Sequence, residues 1–173
     1  MFKPVSEVLT GEQRKNGYLR TVIHLFLAYI FLHWLSNGAM FFHQMGLTYE
    51  AVASHYLGDP ETFRDPRSYA SMLEVAHFHL FAMGILLITL VHLMLFAPLS
   101  DRTKHLGIWL PFVFAVGNEG AGWLVRFAAP GFAYLKIATF LGLELSLLWV
   151  MGVTVWSMVT QRRGGYRVQP SSN

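Results

Sequence analysis

Residues 73–96 read LEVAHFHLFAMGILLITLVHLMLF. As a helix rising about 1.5 Å per residue, this run is long and apolar enough to cross about 30 Å of hydrocarbon. It nevertheless carries the imidazoles of His77, His79 and His92 and, near its start, the carboxylate of Glu74. Ionisable groups are costly in lipid and usually face a partner, a cavity or a cofactor. The apolar length points to the fold, and the polar residues point to the chemistry.

The span extends to residues 73–97, and three similar runs lie at 21–43, 106–127 and 134–159. Pro98, Pro130 and the Gly164-Gly165 pair punctuate their ends. Pro111, in the first turns of the third span, is expected to kink it. Short connections after the second span predict an all-α, integral membrane, antiparallel four-helix bundle. Composition agrees. The chain has 173 residues, 54% of them hydrophobic and 13% charged, too few polar groups to cover a water-soluble domain. It has no cysteine, which excludes disulfides, thiolate zinc sites, iron–sulfur clusters and covalently attached c-type haem. No nucleophile motif or phosphate loop is present. The +3 net charge sits at span ends, where membrane topology explains it without nucleic acid.

Nine of the thirteen Lys and Arg fall on one side of these spans, leaving Arg64, Arg67, Arg126 and Lys136 on the other. The positive-inside rule then places both termini in the cytoplasm. The expected organisation is a cytoplasmic segment 1–20, a bundle 21–161 with an outer loop 44–72, and a cytoplasmic tail 162–173. The first span is expected to be retained, because its apolar run is too long for a signal-peptide core. A multi-pass protein of the bacterial inner membrane follows. In the outer loop, LTYEAVASHYLG predicts a short surface helix ending at Gly58, with turns at Asp59-Pro60 and Asp65-Pro66. His55 and His105 are expected to be solvated loop residues.

The polar groups within the spans form layers. His24 and His92 lie near the cytoplasmic side; His43, His77 and His79 lie near the outer side; His33, Glu119 and Glu144 are nearer the middle. His77 and His92 are about 60° apart around their helix and about 22 Å apart along it, so they can face one interior at two depths. His79 points about 160° from His77, and His24 and His43 are about 100° apart. Interior histidines at matching depths suit bis-His ligation of stacked, non-covalent haem b, one or two per chain. The candidate haem ligands are therefore His77, His92, His24, His43 and His79, with Arg126 for a propionate or for Glu74. The alternative is a non-haem iron or copper site built on His77, His79 and Glu119. Glu119, Glu144, His33 and Glu74 are candidates for that metal or for carrying protons to a quinone. The doubled Glu-x-x-His of di-iron bundles is not there; it occurs once, from Glu74 to His77.

Three stretches carry a resemblance: GLTYEAVASHYLG, AHFHLFAMG and PFVFAVGNEGAGWLVRFAAPGFAYL. Across residues 46–134 the chain resembles a poorly characterised family of small bacterial four-span membrane proteins. That resemblance implies a His-x-His pair and an acid in the third span, which correspond to His77, His79 and Glu119. More loosely, the bundle resembles di-haem four-helix cytochromes b. The expectation is a b-type cytochrome passing electrons between the quinone pool and an outer-face electron-transfer protein, as an electron carrier or oxidoreductase subunit. Other membrane subunits or a second copy are expected partners. A cofactor-free structural subunit is the remaining alternative.

Overall fold

The structure, a computed structural model, describes residues 17–163. Residues 1–16 and 164–173, most of the expected terminal segments 1–20 and 162–173, lie outside it. Among the described residues five α-helices follow in order: α1 Gly17–Gln44, α2 Tyr49–Leu57, α3 Tyr69–Met94, α4 Asp101–Phe127 and, after a 3-10 turn at Pro130–Phe132, α5 Ala133–Arg163. All but α2 are long and apolar enough to span a membrane. At about 1.5 Å per residue they reach about 39 to 46 Å, beyond the hydrocarbon thickness.

The helices start earlier than the apolar runs because capping residues set their ends. Ser68 accepts a hydrogen bond from the Ser71 N–H at 3.1 Å and starts α3. Ser100 accepts from Thr103 N–H at 3.3 Å and starts α4, with Asp101 in the first turn. Helix α3 stops at Met94 rather than Ala97, since the backbone tightens into a turn there, with Ala97 N–H donating to Met94 O. Helix α4 runs unbroken through the buried Pro111.

The short helix forms as expected. Thr48 caps α2 by accepting from Ala51 N–H at 3.2 Å. Gly58 ends it at φ +85°, and a Cβ there would lie 2.6 Å from the Arg64 carbonyl oxygen. Asp59 and Arg64 exchange backbone hydrogen bonds of 2.9 and 3.0 Å and close the turn that follows.

Helix α5 is the central and most buried span; α3 and α4 pack on it, and α1 lies mainly against it. Two apolar cores result. One joins Ile30, Leu87, Leu90, Met94, Leu147 and Val150 at the end of the bundle where α1 starts and α5 ends. The other, at the loop end, joins Phe41, Val52, Tyr56, Met72, Val125 and Phe140. Phe41 and Phe140 stack there with centroids 3.6 Å apart. Helix α2 seats on α4 only because residue 122 is glycine, where a Cβ would come within 2.7 Å of the Tyr56 oxygen. Large side chains such as Leu25, Phe78, Phe81 and Leu145 stay exposed, as a surface facing lipid requires. The chain is a multi-pass membrane protein.

Candidate functional site: a polar belt between two cavities

The residues between the two cores are polar. His79 of α3 and Glu119 of α4 meet with Nδ1 3.3 Å from Oε2, the one ion-pair geometry among the described residues. Lys136 of α5 is 6% exposed, and its Nζ donates to the Asn118 carbonyl at 2.9 Å. Its ammonium also stands 6.0 Å from the Tyr56 ring centre. The Asn118 side-chain oxygen is buried without a hydrogen-bond partner. Further along α5, Glu144 accepts from the side-chain amide of Asn37, and its backbone carbonyl accepts from the Trp34 indole at 3.1 Å.

Two cavities meet at this belt. The smaller, about 140 Å³, lies toward the loop end and is lined by His55, Tyr56, Arg67 and Lys136 among others. The larger, about 400 Å³, runs toward the other end and is mostly apolar, with Phe26, Ile30, Leu80, Met83 and Leu87 in its walls. Asn37, His79, Asn118 and Glu119 line both. The two cavities share this wall, the loop-end one being the more polar and the other mostly apolar.

His79 and Glu119 are the sequence-derived candidates that come together. His33 lines the apolar cavity. The others do not converge. His77 and His92 are exposed on α3, against Phe78 and Phe96 with ring centres 5.7 and 5.4 Å apart. His24 is exposed, its Nδ1 2.6 Å from the Arg20 carbonyl one turn back. His43 is exposed beside a third pocket, and Glu74 is exposed. The reason is angular. His24, His77 and His92 each follow a buried residue, Ile23, Ala76 and Val91, by one position. One position turns a side chain about 100° off the buried face. His79 is three positions past Ala76 and returns to within about 60° of that face, near enough to meet Glu119 although its side chain stays 54% exposed. The trio His77, His79 and Glu119 is therefore split, and no group of three His, Asp or Glu that could hold a metal occurs among the described residues. Arg126 does not reach Glu74; its Nε donates to the Arg67 carbonyl at 2.7 Å.

Lys136, Tyr56 and Asn37 join the site without having been singled out, as does Asn118, a polar residue of the third span beside Glu119. His55 corrects the expectation of a solvated loop residue, since it is 7% exposed. The signal was in α2, where Val52, His55 and Tyr56 recur at helical spacing on one buried face. Burial, then the charge of Arg67, holds the His55 imidazole down to about 4. Burial, then the carboxylate of Glu119, pushes the Tyr56 phenol up.

The His55 shift has a sign. The native state keeps this imidazole neutral, whereas an unfolded chain protonates it below about 6.5. Its contribution to stability is therefore intact above about 6.5 and is lost as pH falls toward about 4. Thermal unfolding of the wild type and His55→Gln across that window is expected to show a weaker pH dependence in the variant, by up to about one proton. Parallel curves would show that His55 does not titrate on unfolding.

No curated protein and no solved structure matches the chain. A family model described as a transmembrane helical domain matches residues 46–165. That stretch contains His55, Tyr56, His79, Glu119, Lys136 and Glu144 and leaves α1, with Asn37, outside. It covers more than half of the 173 residues, and the chain belongs to this family of transmembrane helical domains.

Proposed function

We propose that this protein is a quinone-binding membrane subunit of a redox complex. The carrying observation is the meeting of His79 and Glu119 at 3.3 Å where the polar and apolar cavities join. A quinone is an amphiphile with carbonyl oxygens on a flat ring and an apolar tail. Its head needs hydrogen-bond partners and its tail needs a greasy channel. The belt offers His79 and Lys136 as donors to the carbonyl oxygens of the head, and the unsatisfied Asn118 oxygen as an acceptor for the hydroxyl of the reduced quinol. The apolar cavity, lined by α1 on one side and α3 on the other, offers room for the tail. Quinone reduction takes up two electrons and two protons, and His79 with Glu119 is suited to pass the protons. The electrons would be exchanged with a partner subunit. With both termini in the bacterial cytoplasm, the loop end and its polar cavity face outward.

The test uses the full-length protein in detergent. Extraction and mass spectrometry would identify co-purified quinone, and quenching of tryptophan fluorescence by a short-chain quinone would give an affinity. Saturable binding weakened by Glu119→Gln and His79→Ala supports the reading. Absence of saturable binding overturns it.

A second reading keeps haem b and moves it to a subunit boundary. His77 and His92 are both exposed on α3, so a second axial imidazole would come from a neighbouring copy or subunit. Spectra of the oxidised and dithionite-reduced protein test it. This reading expects a Soret band, sharp α and β bands on reduction, and their loss in His77→Ala or His92→Ala. A flat visible spectrum in haem-supplied cells would end it.

A further inference from the structure

The loop end carries four cations, Arg64, Arg67, Arg126 and Lys136, and among the described residues none has a carboxylate oxygen within 4.0 Å. Unpaired arginines beside a pocket ask for a counter-charge. Arg64 and Arg67 line a cleft together with His43, His55, Asp65 and Ser68. Asp65 is the acid in that wall, and it pairs with neither arginine.

Both arginines are held from behind. The Arg67 N–H donates to the Tyr56 carbonyl at 3.0 Å, and its own carbonyl accepts from Arg126. Its guanidinium Nη2 stands 3.3 Å from His55 Nε2. With that imidazole neutral, the contact uses one of five guanidinium N–H groups and adds no negative charge. The Arg64 backbone is fixed by its two-way exchange with Asp59. Asp59 spends its carboxylate on the Glu61 N–H and the Thr62 hydroxyl, at 3.0 and 2.9 Å, rather than on an arginine.

A further source of positive potential converges on the cleft. Ser68 is the cap of the 26-residue helix α3, whose first turn contains no acid. The positive end of that helix dipole is therefore not offset within its own first turn, although Asp65 stands in the same cleft. The Arg67 guanidinium held against His55, the exposed guanidinium of Arg64 and a helix start together suit a tetrahedral oxyanion.

We propose that the cleft between Arg64, Arg67 and the start of α3 binds a phosphate-class oxyanion, either the free ion or the headgroup of an anionic phospholipid. The cleft shares Arg67 and His55 with the wall of the loop-end cavity but not the His79–Glu119 pair, and Arg64 lines the cleft alone, so a variant there tests this site apart from quinone binding.

The experiment takes the full-length protein. In detergent, inorganic phosphate is titrated by calorimetry. In nanodiscs of phosphatidylglycerol or of phosphatidylcholine, retained lipid is counted by native mass spectrometry. Binding of phosphate indicates a site for the free ion. Selective retention of phosphatidylglycerol without phosphate binding indicates the lipid headgroup. Either supports the proposal, provided Arg64→Gln weakens it about tenfold, the effect of losing one charge-assisted hydrogen bond. The Arg64 guanidinium makes no hydrogen bond among the described residues, so this variant is expected to fold even where Arg67→Gln does not. No binding of either probe, or binding that Arg64→Gln leaves unchanged, overturns the proposal.

Discussion

Glu119→Gln is expected to weaken quinone binding about tenfold or more while the helices remain folded. The substitution keeps the shape of the side chain and removes its charge. Hydrogen bonds that involve a charged group are worth about 1.5–3 kcal/mol, and each 1.4 kcal/mol is tenfold in affinity. Glu119 lies on the wall of both cavities, 3.3 Å from the His79 ring, so the loss falls on the imidazole that meets the ligand. His79→Ala is expected to give a loss of similar size. The double variant should lose less than the sum, because groups in direct contact are coupled. His105→Ala, on an exposed position at the far end of α4, should leave the affinity unchanged. Additive losses would mean that the pair does not act as a unit. Wild-type affinity in both single variants would remove the belt from the binding site.

Lys136→Met is expected to raise thermal stability and weaken quinone binding. Lys136 is nearly fully buried, its Nζ donates to one backbone carbonyl, and no carboxylate oxygen lies within 4.0 Å. Removing an ammonium from water costs several kcal/mol, and replacing buried ionic groups with well-packed apolar ones often stabilises by about 1–4 kcal/mol. Methionine has nearly the same length and adapts to irregular space. A charge retained at such a cost suits a ligand-facing role better than a structural one. Thermal unfolding in detergent and the quinone titration, read together, separate the two roles. Lower stability with unchanged affinity would make Lys136 a structural anchor, with the ammonium holding the α4 backbone at Asn118 and doing nothing for a ligand.

The polar belt shows how far local reasoning reaches. Glu119 and His79 are visible in the sequence as ionisable groups at similar depth in neighbouring spans. Lys136 is read as one more basic residue at a span end, because Tyr134 and Pro130 nearby suggest the interface. Only the packing of α5 against α4 carries it inward to the Asn118 carbonyl. His55 is hidden for a related reason. A short amphipathic helix in a loop is read as surface, but Gly122 opens a seat on α4 and α2 settles into it.

The sequence by itself determined the spans, their order and the short loop helix that ends at Gly58; the serine caps that start α3 and α4 several residues earlier emerge only in the structure. The legible features rest on local physics: apolar length against bilayer thickness and a glycine that stops a helix. It did not determine which side of each span is buried. In a water-soluble bundle an apolar stripe marks the inner face; helices α1, α3 and α5 are apolar nearly all round, since lipid is as greasy as the core. The sequence therefore favours His77, which shares a helix face with His92, over His79. The close packing of α3 on α4 and α5 decides between them, turning His77 outward and bringing His79 to Glu119.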